Sequence, residues 1–108
     1  MKIVKKKQIT RGIFIKNVSY NADINTIEAL LSKYSIIYND IIMFHDKLNI
    51  FKGRIIIILN NEEAATEAIK KLKNQMFLNR KLKVTYAYNK YVNNNDIVNL
   101  FDNKLNLI

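Results

Sequence analysis

Cysteine is absent from this 108-residue sequence, and histidine occurs once, at His45. Disulfide frameworks, thiol catalysis and cysteine-based zinc sites are thereby excluded. A His-rich metal site and a His–His acid/base pair are excluded with them. The lack of cysteine fits a reducing compartment. Glycine occurs only twice, and no Gly-rich phosphate loop is present. Long apolar runs are missing too. The longest, Ile55 to Leu59, falls far short of the roughly 20 residues that a membrane span needs. The segment Met1 to Lys7 is basic but holds no apolar run long enough for a signal peptide. The expectation is a soluble, intracellular chain with no membrane partner. No nucleophile–base pair or metal-ligand cluster stands out. Glu62 and Glu63 are adjacent, but helix-start charge explains them. The expectation is therefore no enzyme, no cofactor and no metal.

What the sequence does have is positive charge. Eighteen Lys and Arg against nine Asp and Glu leave a net charge of +9. That balance favours a polyanionic partner, nucleic acid first and an anionic membrane surface second. An AT-rich genome would raise Ile, Asn and Lys without any function behind them, so the placement of the charge matters more than its sum. Lys2, Lys5, Lys6, Lys7 and Arg11 cluster in residues 1–12 without an acid. Arg80, Lys81, Lys83 and Lys90 cluster in residues 79–91, and Lys52 and Arg54 lie between. A uniform solvating coat would not concentrate charge in three places. The length suits one domain, and hydrophobic residues at 49% are enough for a core without staples.

Hydrophobic periodicity gives alternating elements. Gly12 to Val18 reads as a strand, with Ile13 and Ile15 on one side and Phe14 and Lys16 on the other. Asp23 can cap a helix running to about Tyr34, and Ile27, Leu30, Leu31 and Tyr34 form its apolar face. Ile36 to Phe44 reads as a strand whose inward face is not settled by its pattern. Asp46 to Phe51 is a loop, and Arg54 to Leu59 is a strand of nearly continuous Ile. Asn60 or Asn61 can cap a second helix, Glu62 to Lys73, with acids in its first turn and lysines in its last. Met76 to Leu78 is a short extended piece, Asn79-Arg80 a turn, and Leu82 to Tyr88 a strand. The order β-α-β-β-α-β predicts an α+β ferredoxin-like sandwich, a four-stranded antiparallel sheet with two helices on one face. Residues 1–10 read as a basic N-terminal arm, 11–90 as the domain, and 91–108 as an extension with helical spacing at Ile97, Phe101, Leu105 and Ile108.

Two segments carry a resemblance. Ile13-Phe14-Ile15-Lys16-Asn17-Val18 resembles the hexapeptide of the RNA-recognition-motif (RRM) family. Lys52-Gly53-Arg54-Ile55-Ile56-Ile57-Ile58-Leu59 stands where that family has its octapeptide. The leading Lys-Gly matches, but the usual surface-facing aromatic positions are Arg54 and Ile56, and the last position is Leu59. The resemblance covers residues 11–90 and implies a sheet that stacks unpaired RNA bases on aromatic rings. The expected RNA contacts are Phe14, Lys16, Lys52, Arg54, Lys83 and Tyr88. Alternation puts Thr85, Ile56 and Ile58 on the same face. An exposed aliphatic pair there is costly unless covered, so Ile56, Ile58 and Phe101 are expected to make protein contacts. Tyr86 is expected in the core beside Val84, and Asn17 is expected to hold backbone, with no ligand.

Within the family, Arg11 to Tyr20 and Leu78 to Lys90 resemble the branch that forms the small branch-site subunit of splicing factor 3b. Membership of that branch would imply a nuclear ribonucleoprotein of the U2 snRNP in pre-mRNA splicing. Its partners would be the pre-mRNA branch site or U2 small nuclear RNA and the large splicing factor 3b subunit. The sequence also allows an RRM protein-interaction module or a ribosome-associated RNA-binding factor.

Overall fold

The computed structural model describes residues 8–89, with side chains from 11 to 87. Residues 1–7 of the expected basic arm and the C-terminal extension, Phe101 included, lie outside the described residues, while residues 8–10 of that arm belong to the first strand. The element order is β1 (Gln8–Lys16), α1 (Ile24–Lys33), β2 (Asp40–His45), β3 (Phe51–Ile58), α2 (Glu62–Leu72), β4 (Met76–Phe77), β5 (Arg80–Lys81) and β6 (Lys83–Asn89). Four strands form one antiparallel sheet in the order β2-β3-β1-β6. This is the ferredoxin-like sandwich expected from the sequence.

Both helices begin at the side chains the sequence offers as caps. The Asp23 carboxylate accepts from the Thr26 amide at 2.9 Å, and the Thr26 hydroxyl accepts from the Asp23 amide at 2.9 Å. This reciprocal box satisfies two backbone donors at a helix start. Asn61 rather than Asn60 caps α2, its Oδ1 accepting from the Ala64 amide at 2.8 Å. Glu62 and Glu63 lie in the first turn of α2 and Lys70 and Lys71 in its last, so charge complements the helix dipole.

Ile13, Ile15, Ile55, Ile57, Leu82 and Val84 point from the sheet toward Ile27, Leu31, Ala65, Ala68 and Leu72 of the helices. Tyr86 is half-buried on that same side, and its hydroxyl shares a hydrogen bond with Thr66 of α2 at 2.7 Å.

Several boundaries differ from the sequence expectation, the first strand among them, which runs from Gln8 to Lys16 and not from Gly12 to Val18. The second strand starts at Asp40, not Ile36. Ser35, with φ 57°, turns the chain out of α1; Ile36 then folds into the core while Ile37 stands 77% exposed. The third strand begins earlier than expected, at Phe51. The turn near residue 80 is Leu78-Asn79, both at positive φ, closing a small β4–β5 hairpin. Two successive left-handed residues are what a tight two-residue hairpin needs.

Gly53 interrupts β3 at φ 78°. A Cβ there would come within 2.7 Å of the Val18 carbonyl oxygen and 3.0 Å of the Tyr20 ring. The Val18 amide in turn donates to the Gly53 carbonyl at 3.0 Å. Gly53→Ala is therefore expected to lower unfolding stability by about 1–3 kcal/mol. Chemical denaturation checks this, and unchanged stability would contradict the tight approach of the two strand ends.

Candidate nucleic-acid interface

The sheet face opposite the helices divides into two halves. Strand alternation brings Gly12, Phe14 and Lys16 of β1 to that face, with Lys83, Thr85 and Ala87 of β6. Ile42 and Phe44 of β2 and Arg54, Ile56 and Ile58 of β3 join them. Lys16 lies directly opposite Lys83, and Phe14 lies between Thr85 and Ile56. Gly12 pairs with Ile58, and Ile42 with Ile56.

One half is basic and aromatic. Lys16, Arg54, Lys83 and Thr85 are exposed there, and Phe14 and Phe44 are half-buried. The two rings approach to 6.1 Å between centroids at 51°. The Lys16 ammonium lies 5.6 Å from the centre of the Phe14 ring, and the Arg54 guanidinium 5.9 Å from that of Phe44. These are cation–π distances, and they keep both cations beside the rings. Among the described residues no carboxylate forms an ion pair with Lys16, Arg54 or Lys83.

The other half is aliphatic and closed. Ile42, Ile56, Ile58 and Ala87 form a second buried cluster, separate from the main core, with exposures of 2, 5, 4 and 5%. Phe14 and Phe44 pack against its edge.

The structure brings together Phe14, Lys16, Arg54 and Lys83 of the expected contacts. Lys52 stands apart. Its ammonium is 3.9 Å from the Asp46 carboxylate and 5.7 Å from the centre of the Tyr20 ring, at the loop end of β3. Asp46 is itself committed to its loop, accepting from the Leu48 and Ile50 amides at 2.8 and 3.0 Å. The Ile50 hydrogen bond, helped by Leu48, Lys52 and His45, outweighs desolvation and holds this carboxyl below the usual range. Tyr88 has its side chain outside the described residues.

Phe44 is the site residue that sequence reasoning missed. Once β2 starts at Asp40, Ile42 and Phe44 share a face, while Ile41 and Met43 pack against the main core. Asn17 braces the site's edge. With φ 64° it ends β1, donates to the Lys81 carbonyl at 2.8 Å and accepts from the Arg80 guanidinium. His45 is half-buried, with Nδ1 3.2 Å from the Met43 carbonyl oxygen. No group of His, Asp and Glu able to hold a metal occurs among the described residues. No helix among them is long and apolar enough to cross a membrane.

Comparison with known proteins agrees with this fold. The structure of the RNA15 RRM superposes with a TM-score of 0.67 at 22% identity, covering 83% of this chain and 98% of that one. The second RRM domain of yeast poly(U)-binding protein Pub1 gives 0.64 at 17% identity, covering 70% and 92%. A Sxl-lethal protein/RNA complex gives 0.64 at 22% identity, covering 71% and 47%. No curated protein matches the chain. The family model for the RNA recognition motif matches residues 13–83, a span that runs from β1 through both helices to the first residue of β6. The chain belongs to the RNA recognition motif family.

Proposed function

We propose that this chain is a non-catalytic RNA-binding protein that takes single-stranded RNA on the basic, aromatic half of its sheet. The observation that carries this reading is the direct cross-strand pairing of Lys16 with Lys83, beside Arg54 and without a carboxylate. Like charges placed opposite each other destabilise a strand pair, and a bound phosphate turns that repulsion into attraction. The adjoining rings supply what a single strand offers next, an unpaired base to stack. Two fold neighbours support the choice of ligand, one being a protein/RNA complex and another a poly(U)-binding protein.

The finer reading is a subunit of the pre-mRNA splicing machinery near the branch site, in the nucleus, with a large splicing factor 3b subunit as partner. Its support is the similarity of residues 11–20 and 78–90 to that branch of the family. A second reading is a protein-interaction module, in which a partner reaches the apolar cluster of Ile42, Ile56, Ile58 and Ala87 only by displacing what covers it. Ile56 and Ile58, with Phe101 from the C-terminal extension, are the protein-contact residues in both readings.

Phe14→Ala and Phe44→Ala are each expected to weaken binding of an oligouridylate by about 1–3 kcal/mol, with circular dichroism confirming the fold. Fluorescence anisotropy checks this, and two unchanged affinities would remove the rings from the site. A crosslinked pulldown from the protein's own cells tests the finer reading. U2 small nuclear RNA recovered with the large subunit is expected. Ribosomal or mixed messenger RNA without that subunit would sink the splicing assignment.

A further inference from the structure

We infer that the RNA site is a short one, ending at the Phe14–Ile56 row, so that only one half of the sheet receives nucleotides. This rests on the RNA-binding reading and specifies its ligand: a segment with two stacked bases and the phosphates beside them.

Among the residues with described side chains, the face consists of three cross-strand rows. The first holds Lys83, Lys16, Arg54 and Phe44, and is open to solvent apart from the half-buried Phe44 ring. The second holds Thr85, Phe14, Ile56 and Ile42, and turns from exposed to buried along its length. The third holds Ala87, Gly12, Ile58 and Asp40; Ala87 and Ile58 are closed at 5 and 4% exposure, and the half-buried Asp40 is an acid at its β2 end.

A base must reach a ring or a guanidinium plane to stack. Phe14 offers one such surface, and Arg54 over Phe44 offers the second, since a guanidinium is itself planar and stacks on aromatic faces. The third row offers neither kind of plane. To place a nucleotide there, RNA would first have to uncover Ile58 and Ala87, a cost of the same size as one stacked base returns, and no plane for stacking is there to offset it. Cations follow the same division. Lys16, Arg54 and Lys83 all belong to the first row, and no Lys or Arg stands on the other two. At about 4.8 Å between strands, those three β-strands span roughly 10 Å, a length that serves neighbouring phosphates of one short segment. Lys52 lies beyond this row, turned to Asp46.

The test is a heteronuclear NMR titration of the full chain with oligouridylates of about three and about eight nucleotides. It reads backbone amides together with the Ile and Ala methyl groups. Both RNAs are expected to shift the same amides, those of Phe14, Lys16, Phe44, Arg54, Lys83 and Thr85. The methyl groups of Ile58 and Ala87 should stay in place with either RNA. Movement of those two methyl groups with the longer RNA alone would overturn the short site and leave RNA binding intact. A sheet silent to both RNAs would overturn the RNA-binding reading itself, and the short site with it.

Discussion

Ile55 and Ile57 of β3 point toward the helices, and Ile56 and Ile58 point the opposite way, where they are also buried. A central strand that is apolar on both faces requires cover on both. Each buried Ile contributes roughly 1.5–3 kcal/mol, so this strand is a large part of what holds the domain together. It also fixes what the functional face can be. The β3 positions Ile56 and Ile58 are committed to apolar contact. On β3, Arg54, before the Ile run begins, is the position of this face open to a charged ligand.

The polar half depends on that same strand. Gly53 makes the sharp approach to Val18 and Tyr20 from which β3 sets out, and Arg54 is the first residue after it. Phe14 and Phe44 then sit at the boundary, packed on the aliphatic cluster at one edge and against Arg54 and Lys16 at the other. Rings anchored this way lose little freedom when a base stacks on them, which favours binding. Asn17, holding Arg80 and the Lys81 carbonyl, ties the β5 end to β1 beside the basic row. The site is thus built on strands, with a loop brace at one corner only.

Much of this was readable in the sequence because it follows from local chemistry. Asp23 and Asn61 announce their helices by capping, and the alternation of β1 puts Phe14 and Lys16 together without further information. The parts that were hidden depend on chain direction after a turn. Residues 36–44 look like one apolar strand. The left-handed Ser35 and the exposed Ile37 show that residues 36–39 form a separate connection. That shift decides which face Phe44 occupies, so the second ring of the site could not be assigned. Lys52 belongs to the family motif by position, yet the bend at Gly53 turns it toward Asp46 and Tyr20. Motif spacing does not register such a bend.

RNA is proposed to lie on the basic, aromatic half of the sheet. Photocrosslinking of the full chain to a single-stranded RNA carrying 4-thiouridine, followed by mass-spectrometric mapping, tests this most directly. Adducts are predicted within β1 and at the neighbouring strand positions, on Phe14, Lys16, Phe44 or Arg54. Adducts confined to the helical face, or to the basic residues 1–7, would contradict it.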